Sequence, residues 1–161
     1  MLERFHVPDD IAVRVRQEDM RASVEDIFKK MGMSKADADQ SADVLMYADI
    51  RGIESHGVSN MMRSYVEGFN AKRINPRPNW KITRQAPATA TIDGDGGLGL
   101  AVGPQAMNVA IEKAKQCGIG AVSVFNSGHF GAAAYHAAMA IPHDMVGLSM
   151  TMGGTAVTPT W

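Results

Sequence analysis

The sequence predicts an α/β protein, α+β in arrangement, with a helical layer followed by the start of a mixed sheet. Three observations carry this. Apolar residues recur at helical spacing as far as about residue 70. Beyond the extended connector "INPRPN", Ile74 to Asn79, strand-like and helix-like runs alternate. The chain has 161 residues, of which 45% are hydrophobic, enough apolar material for a packed core.

The elements follow in order. "IAVRVR", Ile11 to Arg16, alternates like a short strand. From Glu18 the period becomes helical, with Met20, Val24, Ile27, Phe28 and Met31 on one face and Gly32 as the stop. Ser34 is a good N-cap for a second helix reaching about Ile50, and Gly52 follows it. Met62, Tyr65, Val66 and Phe69 define one face of a third helix. Trp80 to Gln85 and Ala88 to Asp93 read as strands. Pro104 suits the first turn of a helix running to Cys117. "GAVSVF", Gly120 to Phe125, reads as a buried strand, "NSGHFG" as a turn and Ala132 to Ala140 as a helix ended near Pro142. Val146 to Thr151 reads as a further strand. The natural division is 1–75, helical, and 76–161, the first part of an α/β domain. The final "GGTAVTPTW" reads as a loop leaving a strand, so a fragment or one piece of a split polypeptide is expected.

The formal net charge is −1, from 16 basic and 17 acidic residues, so nothing electrostatic points to a nucleic-acid or anionic-membrane partner. The loose basic cluster from Lys72 to Arg84 is interrupted by prolines and apolar residues and reads as a solvated loop. The one cysteine, Cys117, cannot form an intrachain disulfide, which suits a reducing cytoplasm; a buried structural thiol is expected there. "MLERFHVPDD" lacks the apolar core of a signal peptide, and no run approaches membrane-spanning length, so a soluble cytoplasmic protein is expected.

"TIDGDGGLGL" contains Gly94-x-Gly96-x-x-Gly99, a formal match to a dinucleotide loop. A phosphate cradle needs its last glycine at the opening of a helix, whereas a helix beginning near Pro104 starts too late. Asp93 and Asp95 would repel phosphate, and the acidic residue expected about 20 positions on is missing. A tight glycine turn is the better reading.

Chemistry concentrates in two segments. In "ADIRGIESHGVSNMMRSY", His56 lies between two predicted helices near the N-terminus of the second, where imidazolium is disfavoured. Ser55 and Glu54 are adjacent hydrogen-bond partners, and Arg51 and Arg63 offer guanidinium groups for a carboxylate. In "NSGHFGAAAYHAA", His129 sits between a strand and a helix, where α/β proteins place ligands. His129, His136 and His143 recur every seven residues, but helical metal pairs sit three or four apart and Pro142 breaks the register, so no metal site is read.

"ADIRGIESHGV", "INPRP", "DGDGGLG", "NSGHFGAAAYHAA" and "VGLSMTMGGTAVTP" together resemble, in order and spacing, the malate/L-lactate dehydrogenase family. This group has a non-Rossmann fold and includes ureidoglycolate, sulfolactate, diketogulonate and cyclic-imine enzymes. The resemblance runs from Glu18 to Trp161 and corresponds to the N-terminal half of a family member. It implies a nucleotide-binding sheet that holds NAD or NADP without the glycine loop, and a fold incomplete without a C-terminal half or companion chain. It implies hydride transfer between NAD(P) and C2 of a small 2-hydroxy or 2-oxo acid, in a homodimer. His56 and His129 fall on the family's acid/base positions, and Ser55 resembles the serine that supports substrate binding. Residues 1–75 would form the substrate and dimer region. Met152, Gly153, Gly154 and Thr155, with His129, fall on its cofactor-contacting positions. Substrate contacts fall on Arg51, Asn60, Arg63 and Tyr65, with two departures. Asn60 stands where the family usually has arginine, and Tyr65 is one position late. At Gly153 many relatives carry a polar residue. The competing expectation is a non-catalytic dimerisation or scaffold remnant of the same family.

Overall fold

A computed structural model of the chain describes residue 8 and residues 10–152. Four helices and three strands carry the architecture: α1 Gln17–Lys30, α2 Lys35–Ile50, α3 Val58–Asn70, β1 Lys81–Gln85, β2 Thr89–Gly97, α4 Gly99–Cys117 and β3 Ala121–Ser127. A short α5, Ala133–Ala138, follows, and 3₁₀ turns occupy Glu54–His56 and Ile141–His143. The expected helical layer followed by a mixed sheet is therefore present. The predicted strand at Ile11–Arg16 is not: the segment has no partner strand among the described residues, and Ile11, Val13 and Val15 are exposed. Alternation alone cannot make a strand without an edge to pair with.

The helical layer is set by local signals. α1 ends in a Schellman motif: Gly32 at φ 98° donates to Lys29 O, and Met33 donates to Phe28 O. Ser34 then caps α2, its Oγ accepting from Asp37 N at 3.1 Å. α2 ends the same way, with Gly52 at φ 67° and Ile53 N donating to Ala48 O.

The sheet order is β1-β2-β3. β1 and β2 run antiparallel, while β2 and β3 run parallel, joined by the crossover helix α4. α4 covers β2 through a small cluster of Ile92, Val102 and Ala106 with Trp80, Val109 and Val122 around it. A larger core joins Val24, Phe28, Leu45 and Tyr65 of the helical layer to Leu98, just before α4, and Leu100 within it, across the division drawn at residue 75.

Four expectations are corrected here. α4 opens at Gly99 rather than near Pro104, and Pro104 lies inside it. Pro104 is the sixth residue of the helix, so it lacks the N–H that would otherwise donate to Leu100 O, and the helix runs on through it. β3 is largely exposed, with Val124 and Phe125 38% and 49% accessible, because it forms the edge of this sheet. Val146–Thr151 is not a strand, and Val146, Leu148 and Met150 are exposed without a pairing partner among the described residues. Cys117 is exposed, because it is the last residue of α4, beyond the turns that pack on the sheet.

Candidate active site

The segment that carries His56 is placed by its neighbours. After the Schellman turn of α2, one 3₁₀ turn spans Glu54–His56, and Gly57 leads into α3. Asp49 Oδ2 accepts from Val58 N, the first amide of α3, at 3.0 Å. A β-carbon at Gly57 would overlap the Asp49 carboxylate, so glycine here is a packing requirement. Burial pushes the Asp49 carboxyl above its ordinary pKa, opposed by the bond from Val58. Asn60 Nδ2 donates to Glu54 O at 2.8 Å and ties the turn to α3.

His129 is placed by a second set of contacts. Beyond β3, Gly128 N donates to Gly97 O at 2.9 Å. A β-carbon at Gly99 would run into the backbone oxygens of Gly128 and His129. Gly131, at φ 78°, packs against Val44 and Leu100. His136 is buried behind this loop; its Nε2 donates to Phe130 O at 2.8 Å and its ring stacks on Phe130 at 4.7 Å between centroids. Burial lowers the His136 pKa, with the Phe130 bond acting the other way.

These two supports bring the imidazoles together. The His56 and His129 rings stack with centroids 5.4 Å apart and planes 21° from parallel. Ser55 Oγ lies 2.8 Å from His56 Nδ1, and Tyr65 Oη lies 2.8 Å from His129 Nδ1. Neither Nε2 has a hydrogen-bond partner among the described residues. Burial lowers the His129 pKa, and the neighbouring His56 lowers it further. Burial raises the Tyr65 phenol pKa well above its ordinary value.

The glycine stretch does not form a cradle, though one reason expected from the sequence is wrong. Gly99 does open a helix directly after a strand. The helix N-terminus is instead closed by the chain itself, through Gly128 and His129. Strand pairing jumps from Asp93↔Phe125 to Gly97↔Ser127, so Gly94, Asp95 and Gly96 form a bulge. Asp93 Oδ1 accepts from Asp95 N and Asn126 Nδ2, which holds that bulge rather than facing a ligand.

The other predicted contacts divide. Ser55 and Tyr65 reach the imidazole pair, as above. Arg51 stays exposed, its guanidinium 3.6 Å from the Tyr47 ring centroid and Nη1 donating to Tyr47 O at 3.4 Å. Arg63 is not brought to the pair: its side chain is 89% exposed and Nε donates to Glu67 Oε1 at 2.9 Å. The period of α3 explains this, since the buried face runs through Met62, Tyr65 and Phe69 and leaves position 63 outside. Met152 is exposed, and Gly153, Gly154 and Thr155 lie outside the described residues. Asp49 and His136 were not among the expected site residues. His136 carried a signal in its spacing from His129, and Asp49 carried one only in the glycine that follows His56.

Residues 15–161 match the family model described as malate/L-lactate dehydrogenase. The chain belongs to the malate/L-lactate dehydrogenase family. It is 45% identical over 160 residues to a malate dehydrogenase of Pyrococcus abyssi, covering 99% of this chain and 44% of that protein. It is 41% identical over 145 residues to an L-sulfolactate dehydrogenase of Methanocaldococcus jannaschii, covering 90% and 42%. Among solved structures, the malate dehydrogenase of Pyrococcus horikoshii OT3 superposes with a TM-score of 0.81 at 40% identity, covering 86% of this chain and 39% of that one. The chain thus spans less than half the length of these family members and matches their N-terminal half.

Proposed function

We propose that this chain carries the proton-transfer part of an NAD(P)-linked oxidoreductase acting on a small 2-hydroxy or 2-oxo acid. The observation that supports it is the stacked His56–His129 pair, two imidazoles from distant segments with both Nε2 atoms unpartnered among the described residues. Carbonyl reduction needs a proton at oxygen beside the carbon that is reduced, and an imidazole near neutrality can deliver it. A nicotinamide supplies the hydride when bound. The donor set fits that partner, because imidazole, hydroxyl and phenol are proton-handling groups and none of these four side chains is anionic. His129, Met152, Gly153, Gly154 and Thr155 would contact the cofactor. The names of the relatives, malate and sulfolactate dehydrogenases, support a 2-hydroxy acid.

Of the two candidate cations for the substrate carboxylate, Arg51 is favoured. It has no carboxylate partner among the described residues, whereas Arg63 is paired with Glu67. The remainder of the site would come from a C-terminal half or companion chain, and the resemblance suggests a dimer. Exposed Phe125, Leu148 and Met150 support such a covering segment.

The test is NADH or NADPH oxidation by the chain assembled with its completing half, across a panel of 2-oxo acids and cyclic imines. His56→Ala is expected to lower turnover by roughly 10²–10⁴, the range of lost general acid catalysis, without unfolding the protein. Wild-type-like turnover in that variant removes His56 from the mechanism. A folded assembly inactive across the whole panel favours the scaffold reading.

A further inference from the structure

We infer that Tyr65 is a positioning residue that holds His129 in its neutral Nε2–H tautomer. The reasoning begins at an amide. Gly131 N–H points at His129 Nδ1 at 3.3 Å, and a backbone N–H can only donate. Nδ1 therefore presents its lone pair. Tyr65 Oη, 2.8 Å from the same atom, must then donate as well, and the single ring proton resides on Nε2. Nε2 is the nitrogen without a partner among the described residues. Were the proton on Nδ1, the Gly131 amide would face another N–H and Tyr65 would have to turn its hydroxyl round.

The phenol is built to hold this arrangement. Tyr65 is 3% exposed, on the buried face of α3 with Met62 and Phe69. Its ring lies 6.3 Å from Phe28 and 6.0 Å from His129, centroid to centroid. Burial keeps the phenol protonated, so it remains a donor. The two stacked imidazoles are thereby unequal. His56 Nδ1 faces the Ser55 hydroxyl, which can donate or accept, so either tautomer of His56 is supported. His129 has one, and offers an Nε2–H donor that has no partner among the described residues. The catalytic meaning of this rests on the proposed redox reading; the tautomer itself does not.

The experiment is ¹⁵N NMR of the full chain labelled at histidine, at mildly alkaline pH, with the His129 signals assigned through His129→Gln. Wild type is expected to show a protonated Nε2 and an unprotonated Nδ1. Tyr65→Phe keeps the ring and removes the donor, and the tautomer ratio should fall roughly tenfold, the equilibrium weight of about one hydrogen bond. A wild-type proton on Nδ1, or an unchanged ratio in Tyr65→Phe, overturns the inference. If Tyr65→Phe does not fold, 3-fluorotyrosine labelling acidifies the phenol at constant shape and should shift the His129 Nδ1 signal; no shift overturns it equally. In the assembled enzyme, Tyr65→Phe should lower kcat with KM little changed. Absent wild-type turnover counts against the redox reading alone, because the tautomer is read without turnover.

Discussion

Gly57 shows how much a single missing side chain decides at this site. Its backbone is extended at φ −89°, so no left-handed conformation demands glycine. The demand comes from the Asp49 carboxylate lying where a β-carbon would go. Gly57→Ala must push Asp49 off the Val58 amide, leaving a half-buried carboxylate and an uncapped first turn of α3. We expect a loss of about 1–3 kcal/mol, the usual cost of overpacking, measured by urea unfolding. An unchanged midpoint would show that Asp49 can move away cheaply. The sequence offered "SHG" as a catalytic motif; what it concealed was that its glycine serves an aspartate from the preceding helix.

Among the elements, the three helices of the first layer end in the same hydrogen-bond pattern, and two of them use glycine for it. α3 does not. Lys72 occupies the left-handed position at φ 55°, donating to Phe69 O, while Arg73 donates to Gly68 O. A side chain in that region costs roughly 1 kcal/mol or more, so Lys72→Gly is expected to stabilise the chain by up to about 1 kcal/mol. Differential scanning calorimetry reads this directly, and a lower Tm in the variant would contradict it. The helices were legible because their signals are local: a serine cap, a glycine stop, a stripe of apolar residues. The start of α4 was misjudged for an equally local reason. Proline is favoured in a first helical turn, but it is tolerated slightly further in, and here tertiary packing of Gly99 against Gly128 and His129 set the true beginning. Strands fared worse. Ile11–Arg16 and Val146–Thr151 have the pattern of strands and no partner to pair with among the described residues, and pairing is a property of two segments.

For the molecule as a whole, two partly or fully desolvated imidazoles, surface-reaching His129 and buried His136, couple folding to pH. His129 and His136 both have pKa values lowered by burial. The unfolded chain binds their protons first, near the ordinary histidine pKa of about 6.5. Their contribution to stability is therefore complete above that pH and is lost as pH falls through it towards the lower folded values. Tm should decline over that window, before most carboxylates titrate. His136→Gln removes one of the two titrations and should flatten the decline while lowering Tm at neutral pH. A Tm independent of pH across the window, or a slope unchanged in the variant, would contradict this. By itself the sequence determined the family, the helical layer, the mixed α/β class and the two histidines, because each is written in a local pattern or in ordered motifs. Only the tertiary structure decided that the rings stack, that Tyr65 reaches His129, and that the glycine stretch is a bulge closed by its own chain. Those outcomes depend on which surfaces meet, and contact between residues far apart in the chain leaves no periodicity to read.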